Sequence, residues 1–166
     1  MKTMILEYWK RWNKVIIPVI FIILLILFIR SEAKIQGEVG REVNHIVSTV
    51  EETVDLLDAT KSEESKAFIL EMAYSSIKNS EEAIESLTKG SLILKGYDLD
   101  DLSFYILTSY GEENIDLAHE RMKELNVFIE DTGIRKIIEN EKYNYIFDSR
   151  DVKHMIKEIN EYCYLE

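Results

Sequence analysis

Two hydrophobic patterns divide the chain. Between Val15 and Ile29 the run VIIPVIFIILLILFI carries no charge, and Pro18 is its only interruption. Beyond it, apolar positions return every three or four residues and charged ones fill the gaps. An unbroken run predicts a helix apolar on all sides, whereas three-four spacing predicts helices with one apolar stripe each.

The first striped helix follows the apolar run closely. Ile35, Val39, Val43, Ile46, Val50, Val54 and Leu57 fall on one face, with Gly37 and Gly40 predicted to loosen its first turns as a joint. A second helix starts near Ser62, with Glu63 and Glu64 suited to its positive end, and stops at Lys89-Gly90. Phe68, Ile69, Met72, Ala73, Ala83, Ile84 and Leu87 are its expected buried face. A short third helix, capped by Asp98 or Asp100, runs to Tyr110. Leu102, Phe104, Tyr105, Ile106 and Leu107 make it apolar most of the way round, so it is expected at the centre. Ile115, Ala118, Met122, Leu125 and Ile129 align along a fourth helix from about Glu113. Gly133 opens a stretch with Ile134, Ile137 and Ile138, and a last helix from about Ser149 turns Val152, Met155, Ile156, Ile159 and Cys163 inward. Proline is absent after Pro18, and helices with one apolar face must bury it against each other. The expected fold is all-α: one N-terminal transmembrane helix followed by a compact helical bundle of about four to six helices.

The apolar run needs help to cross a bilayer. A helix rising ~1.5 Å per residue needs about 20 residues for a ~30 Å hydrocarbon core. Trp9 and Trp12 supply interfacial rings on one side, and the stems of Lys14 and Arg30 can lie along the helix while their charges reach water. Pro18 sits early in the run, where a missing hydrogen bond is cheapest. Lys2, Lys10, Arg11 and Lys14 precede the run, and a mixed stretch follows it. The preference of basic residues for the cytoplasmic side then makes residues 1–14 a short cytoplasmic tail and 15–30 a signal-anchor helix in the cell membrane. Residues 31–166 become an extracytoplasmic helical domain. The competing reading is a cleaved signal peptide ending at Ser31-Glu32-Ala33, against which Arg30 and the Trp residues argue.

Charge sharpens the division. Residues 1–30 hold five bases against Glu7, a net +4, and the remaining 15 bases and 30 acids carry −15. A domain that acidic repels phosphate, so nucleic acid is not an expected partner. Cys163 is the only cysteine, which excludes an internal disulfide and a lipid-anchored cysteine after the apolar run. The Ile-, Lys- and Glu-rich, Pro-poor usage has a bacterial look.

Each histidine has an acid three residues earlier: Glu42/His45, Asp116/His119 and Asp151/His154. Such helical pairs ligate metals in carboxylate bundles when they point inward. At 100° per residue His45 lies roughly 140°, His119 roughly 100° and His154 about 150° from their stripes, so surface histidines are expected and no metal or other cofactor is. Asp98 to Ser103 lacks the glycine and fifth ligand of a calcium loop. Catalytic serine, phosphate-loop and zinc-protease motifs are missing. Tyr143, Tyr145, Tyr162 and Tyr164 cluster near the C-terminus as a partner patch, or else as core and rim packing.

These features point to a membrane-anchored, non-catalytic interaction module, an accessory or regulatory subunit of an envelope or membrane complex. Its expected partners are the bilayer, through the N-terminal helix, and a protein, either a membrane complex or further copies of itself. The alternatives are an extracytoplasmic helical enzyme, with acids such as Glu112, Glu113 and Asp116, and a small-molecule or metal-binding bundle.

Overall fold

The computed structural model describes residues 2–99, 102–109, 114–141 and 148–164. Side chains are described for Trp12 and from Lys14 onward, except those of 107–109, 141 and 164. Every regular element among these residues is an α-helix: α1 Lys2–Ala59, α2 Glu63–Gly90, α3 Leu102–Ser109, α4 Ile115–Asp131, α5 Ile134–Glu141 and α6 Ser149–Tyr164. The chain divides into two units, Met1–Lys34 and Ile35–Glu166.

In the first unit the apolar run is bare. All fourteen apolar side chains from Val15 to Ile29 other than Pro18 are exposed. This is the one stretch among the described residues that is long and apolar enough to cross a membrane. Trp12, Lys14, Pro18 and Arg30 are exposed along it, and the side chain of Trp9 lies outside the described residues. Because α1 already begins at Lys2, Pro18 falls within the helix rather than in its first turn. Its missing N–H leaves the carbonyl of Lys14 without the usual helical donor.

α1 is helical through both Gly37 and Gly40. Each glycine costs a helix about 1 kcal/mol, but burying one valine or isoleucine returns about 1.5–3 kcal/mol. Val39, Val43, Ile46 and Val50 are fully buried, so packing outweighs propensity here.

The second unit is a helical bundle around one apolar core. Leu57 of α1, Leu70, Ile77 and Ile84 of α2, Leu102 of α3, Met122, Leu125 and Ile129 of α4, Ile134 of α5 and Met155 and Ile159 of α6 are all buried in it. The stripes expected for α1, α4 and α6 are found, with Ile115 and Cys163 packed at the edge. The α2 stripe is rotated: Leu70, Ala73, Ile77, Ser80, Glu81, Ile84 and Thr88 face inward, while Phe68 and Met72 stand exposed. Both faces of that segment carry apolar side chains, so its periodicity alone leaves the phase open. Helix α3 packs on α2, α4 and α6, yet Phe104 on its open side is exposed.

Local chemistry sets the helix ends. Ser62 caps α2, its Oγ accepting from the Ser65 N–H at 3.5 Å. Gly133, at φ 74°, makes the left-handed turn that ends α4 and lets α5 begin at once.

Candidate functional site

All three acid–histidine pairs are broken in favour of partners on other turns or helices. Glu42 accepts from Ser80 Oγ at 2.8 Å, and His45 Nε2 lies 3.0 Å from Ser76 Oγ, so both tie α1 to α2. Asp116 meets Lys66 Nζ at 3.5 Å. His154 Nδ1 stands 3.4 Å from Glu158 Oε1 on its own helix. No group of three or more His, Cys, Asp or Glu able to hold a metal occurs among the described residues.

His119 departs most from expectation. Its side chain is only 15 % exposed, set in the seam between α1 and α4, with Nε2 3.1 Å from Asp58 Oδ1. Lys123, one turn further along α4, brings Nζ to 2.6 Å from the same oxygen. The Lys123 hydrogen bond, with the charges of Lys123 and His119, holds the Asp58 carboxyl below the usual carboxylate range against the opposing effect of burial. Asp58 and Lys123 form an ion pair from α1 to α4, with the His119 ring set beside it.

A second polar node surrounds Arg135 at the start of α5. Its guanidinium meets Glu51 of α1 at 2.7 Å, Asn126 Oδ1 of α4 at 3.0 Å, and Glu130 of α4. A planar fork with five donors suits this three-helix staple better than an ammonium does. A third node lies where α2 ends: Asp98 accepts from Thr88 Oγ1, and its carbonyl accepts from Asn160 Nδ2 of α6 at 2.7 Å. Asp98 thus fastens a loop to two helices rather than capping α3.

Of the tyrosine patch, Tyr143 and Tyr145 and the side chain of Tyr164 lie outside the described residues. Tyr162 is half-buried. Its ring meets Tyr105 edge-on at 5.4 Å and Phe128 at 4.8 Å, and the Arg121 guanidinium lies 4.7 Å over the Tyr105 ring. These aromatic pairs join α3, α4 and α6, so Tyr162 serves packing and leaves one edge at the surface.

What sequence reasoning did not find is an open groove between α1 and α2. It holds about 210 Å³ and is lined by His45, Thr49, Thr53 and Leu56 on one side and Ile69, Met72 and Ser76 on the other. Its trace in the sequence is the doubled apolar face of α2, where Phe68 and Met72, expected inward, stand exposed. A shallower surface of about 450 Å³ runs along α4 past Glu120, Glu124, Val127 and Asp131 to Tyr162.

Comparison with protein-family models, with curated proteins and with solved structures finds no match. The fold itself defines the class: a helical bundle whose first helix extends into a bare apolar segment.

Proposed function

We propose that this protein is a membrane-anchored, non-catalytic interaction module, with its N-terminus in the cytoplasm and its helical domain outside. The observation that carries the reading is the row of exposed side chains from Val15 to Ile29. Soluble proteins rarely leave so large a continuous apolar surface in water, and a hydrocarbon phase covers it without any partner. The charge contrast agrees, since the basic flank of residues 1–14, net +3, suits the cytoplasmic leaflet and the −15 domain avoids anionic headgroups. Fixing a domain to a surface raises its effective concentration towards other membrane proteins, which favours an accessory subunit.

Two measurements test it. External protease on intact cells should digest the domain and spare the N-terminal tail; protection of the domain in a permeable envelope would refute the orientation. Chemical cross-linking in native membranes, read by mass spectrometry, should trap a protein partner. A chain recovered only alone and monomeric at its normal abundance would refute the interaction role.

A further inference from the structure

The outer face of the α1–α2 pair is apolar where most surfaces of this domain are charged. Leu56 is 54 %, Met72 59 % and Phe68 61 % exposed. Ile69 and Ala73 continue the strip into the groove, and Phe68 lies one turn from Met72 on the same side of α2. The helices run antiparallel, as Glu42 reaches Ser80 while Thr49 reaches Ser76 at 3.2 Å. On α1 the lining residues His45, Thr49, Glu52, Thr53 and Leu56 recur at three- and four-residue intervals, so the groove follows the helix axis. At about 210 Å³ it is smaller than a pocket for a drug-sized ligand, which takes ≈ 300–1,000 Å³, but it admits side chains from a third helix laid along it.

Charge selects among possible occupants. Glu52 lines the groove, and Glu64 and Glu71 lie four residues before and three after Phe68, on its face. All three are exposed and none takes part in an ion pair among the described residues. A second copy of this chain would set these acids against identical acids, and anionic headgroups would be repelled in the same way. A helix with an apolar stripe flanked by Lys or Arg meets both demands.

We propose that the α1–α2 groove seats an amphipathic basic helix of a partner protein, its apolar side chains against Leu56, Ile69 and Met72 and its cations towards Glu52, Glu64 and Glu71. The proposal rests on the interaction-module reading and gives it a site.

The test uses the full chain in its own membranes. A photoreactive benzophenone amino acid replaces Met72 in one variant and Leu92, Ile93, Phe104 or Val127, the other exposed large apolar positions among the described residues of the domain outside the groove strip, in separate variants. The expected result is an adduct from position 72 whose foreign segment is an amphipathic helix containing Lys or Arg. Leu56→Lys should lower its yield about tenfold, because a charge then enters the apolar contact. Glu52→Lys should lower it up to about fivefold, the effect of one exposed ion pair. All replaced side chains are exposed, and circular dichroism checks that each variant keeps its helix content. An adduct from position 72 formed only with lipid or with another copy of this chain overturns the proposal, as does yield indifferent to Leu56→Lys. Adducts from the other positions with none from 72 overturn the groove and leave the module reading standing. Protein adducts from no position overturn both.

Discussion

The Glu81 carboxylate of α2 accepts a hydrogen bond from the Ser103 backbone N–H at 2.9 Å, within the first turn of α3. Glu81 is almost fully buried, at 8 % exposure, yet it faces the positive end of a helix and one of its unpaired donors. A side chain 22 residues away in sequence thus does work expected of Asp98, while Asp100 lies outside the described residues.

Removing that acceptor should uncap α3. Glu81→Ala is expected to cost about 1–2 kcal/mol, the usual loss for an N-cap or a hydrogen bond to a charged group. At this chain length that is a fall of roughly 2–8 °C in Tm. Glu81→Gln keeps an acceptor and should lose less. Thermal unfolding followed by circular dichroism in detergent decides it, and an unchanged Tm for Glu81→Ala would refute the capping role.

The Asp58–Lys123–His119 cluster predicts an acid limb. Asp58 is held below its ordinary 3.8, so its contribution is present above about pH 4 and is lost as pH falls through the lower folded value. Asp58→Asn should lower Tm modestly at neutral pH and flatten the decline below pH 4. Parallel acid limbs in the two proteins would contradict this.

Lys66 predicts the opposite limb. Its hydrogen bond to Glu63, helped by the charges of Glu63 and Asp116, raises its pKa above the ordinary 10.5, although burial opposes the shift. Its contribution is therefore present below that value and is lost as pH rises through the raised one. Lys66→Met should remove part of the alkaline loss of stability, measured by Tm against pH.

Arg135 should be sensitive to shape as well as charge. Arg135→Ala leaves Glu51 and Glu130 without their shared cation and should cost about 2 kcal/mol. Arg135→Lys keeps the charge but not the fork, and about half of that loss is expected. Urea unfolding of the two variants distinguishes them; equal stabilities would show that geometry is irrelevant at this node.

For the anchor, magnitudes decide how many charges are needed. Fourteen apolar side chains between Val15 and Ile29, at about −0.3 to −0.6 kcal/mol each, favour insertion by roughly 4–8 kcal/mol. One central charge costs about 3 kcal/mol, so Ile22→Arg alone should leave the chain largely in membranes. Ile22→Arg with Ile23→Arg should bring a large part out. Alkaline carbonate extraction reads the fraction, and full retention of the double variant would argue against a spanning helix.

The apolar run and the stripes of α1, α4 and α6 were legible because each stripe is a local record of one face. Ala118, Met122, Leu125 and Ile129 admit a single helical phase, and all four are buried. Helix α2 does not. Phe68 and Met72 compete with Leu70 and Ile77, and neighbouring helices choose the second pair, while Ala73 and Ile84 are buried as expected. The site was less legible still, since no spacing within α1 announces that Asp58 will meet Lys123 or that Leu56 will share a groove with Met72.

By itself the sequence determined an all-helical chain with a bare apolar segment, an acidic remainder and most helix ends, because hydrophobic period, capping and breaker residues act within a few positions of one another. Tertiary structure alone decided the phase of α2, the continuity of α1 through Gly37 and Gly40, the capping of α3 by Glu81 and the partners of every described histidine except His154. Those outcomes compare the burial and charge of surfaces contributed by different helices, and such a comparison exists only once the helices are packed.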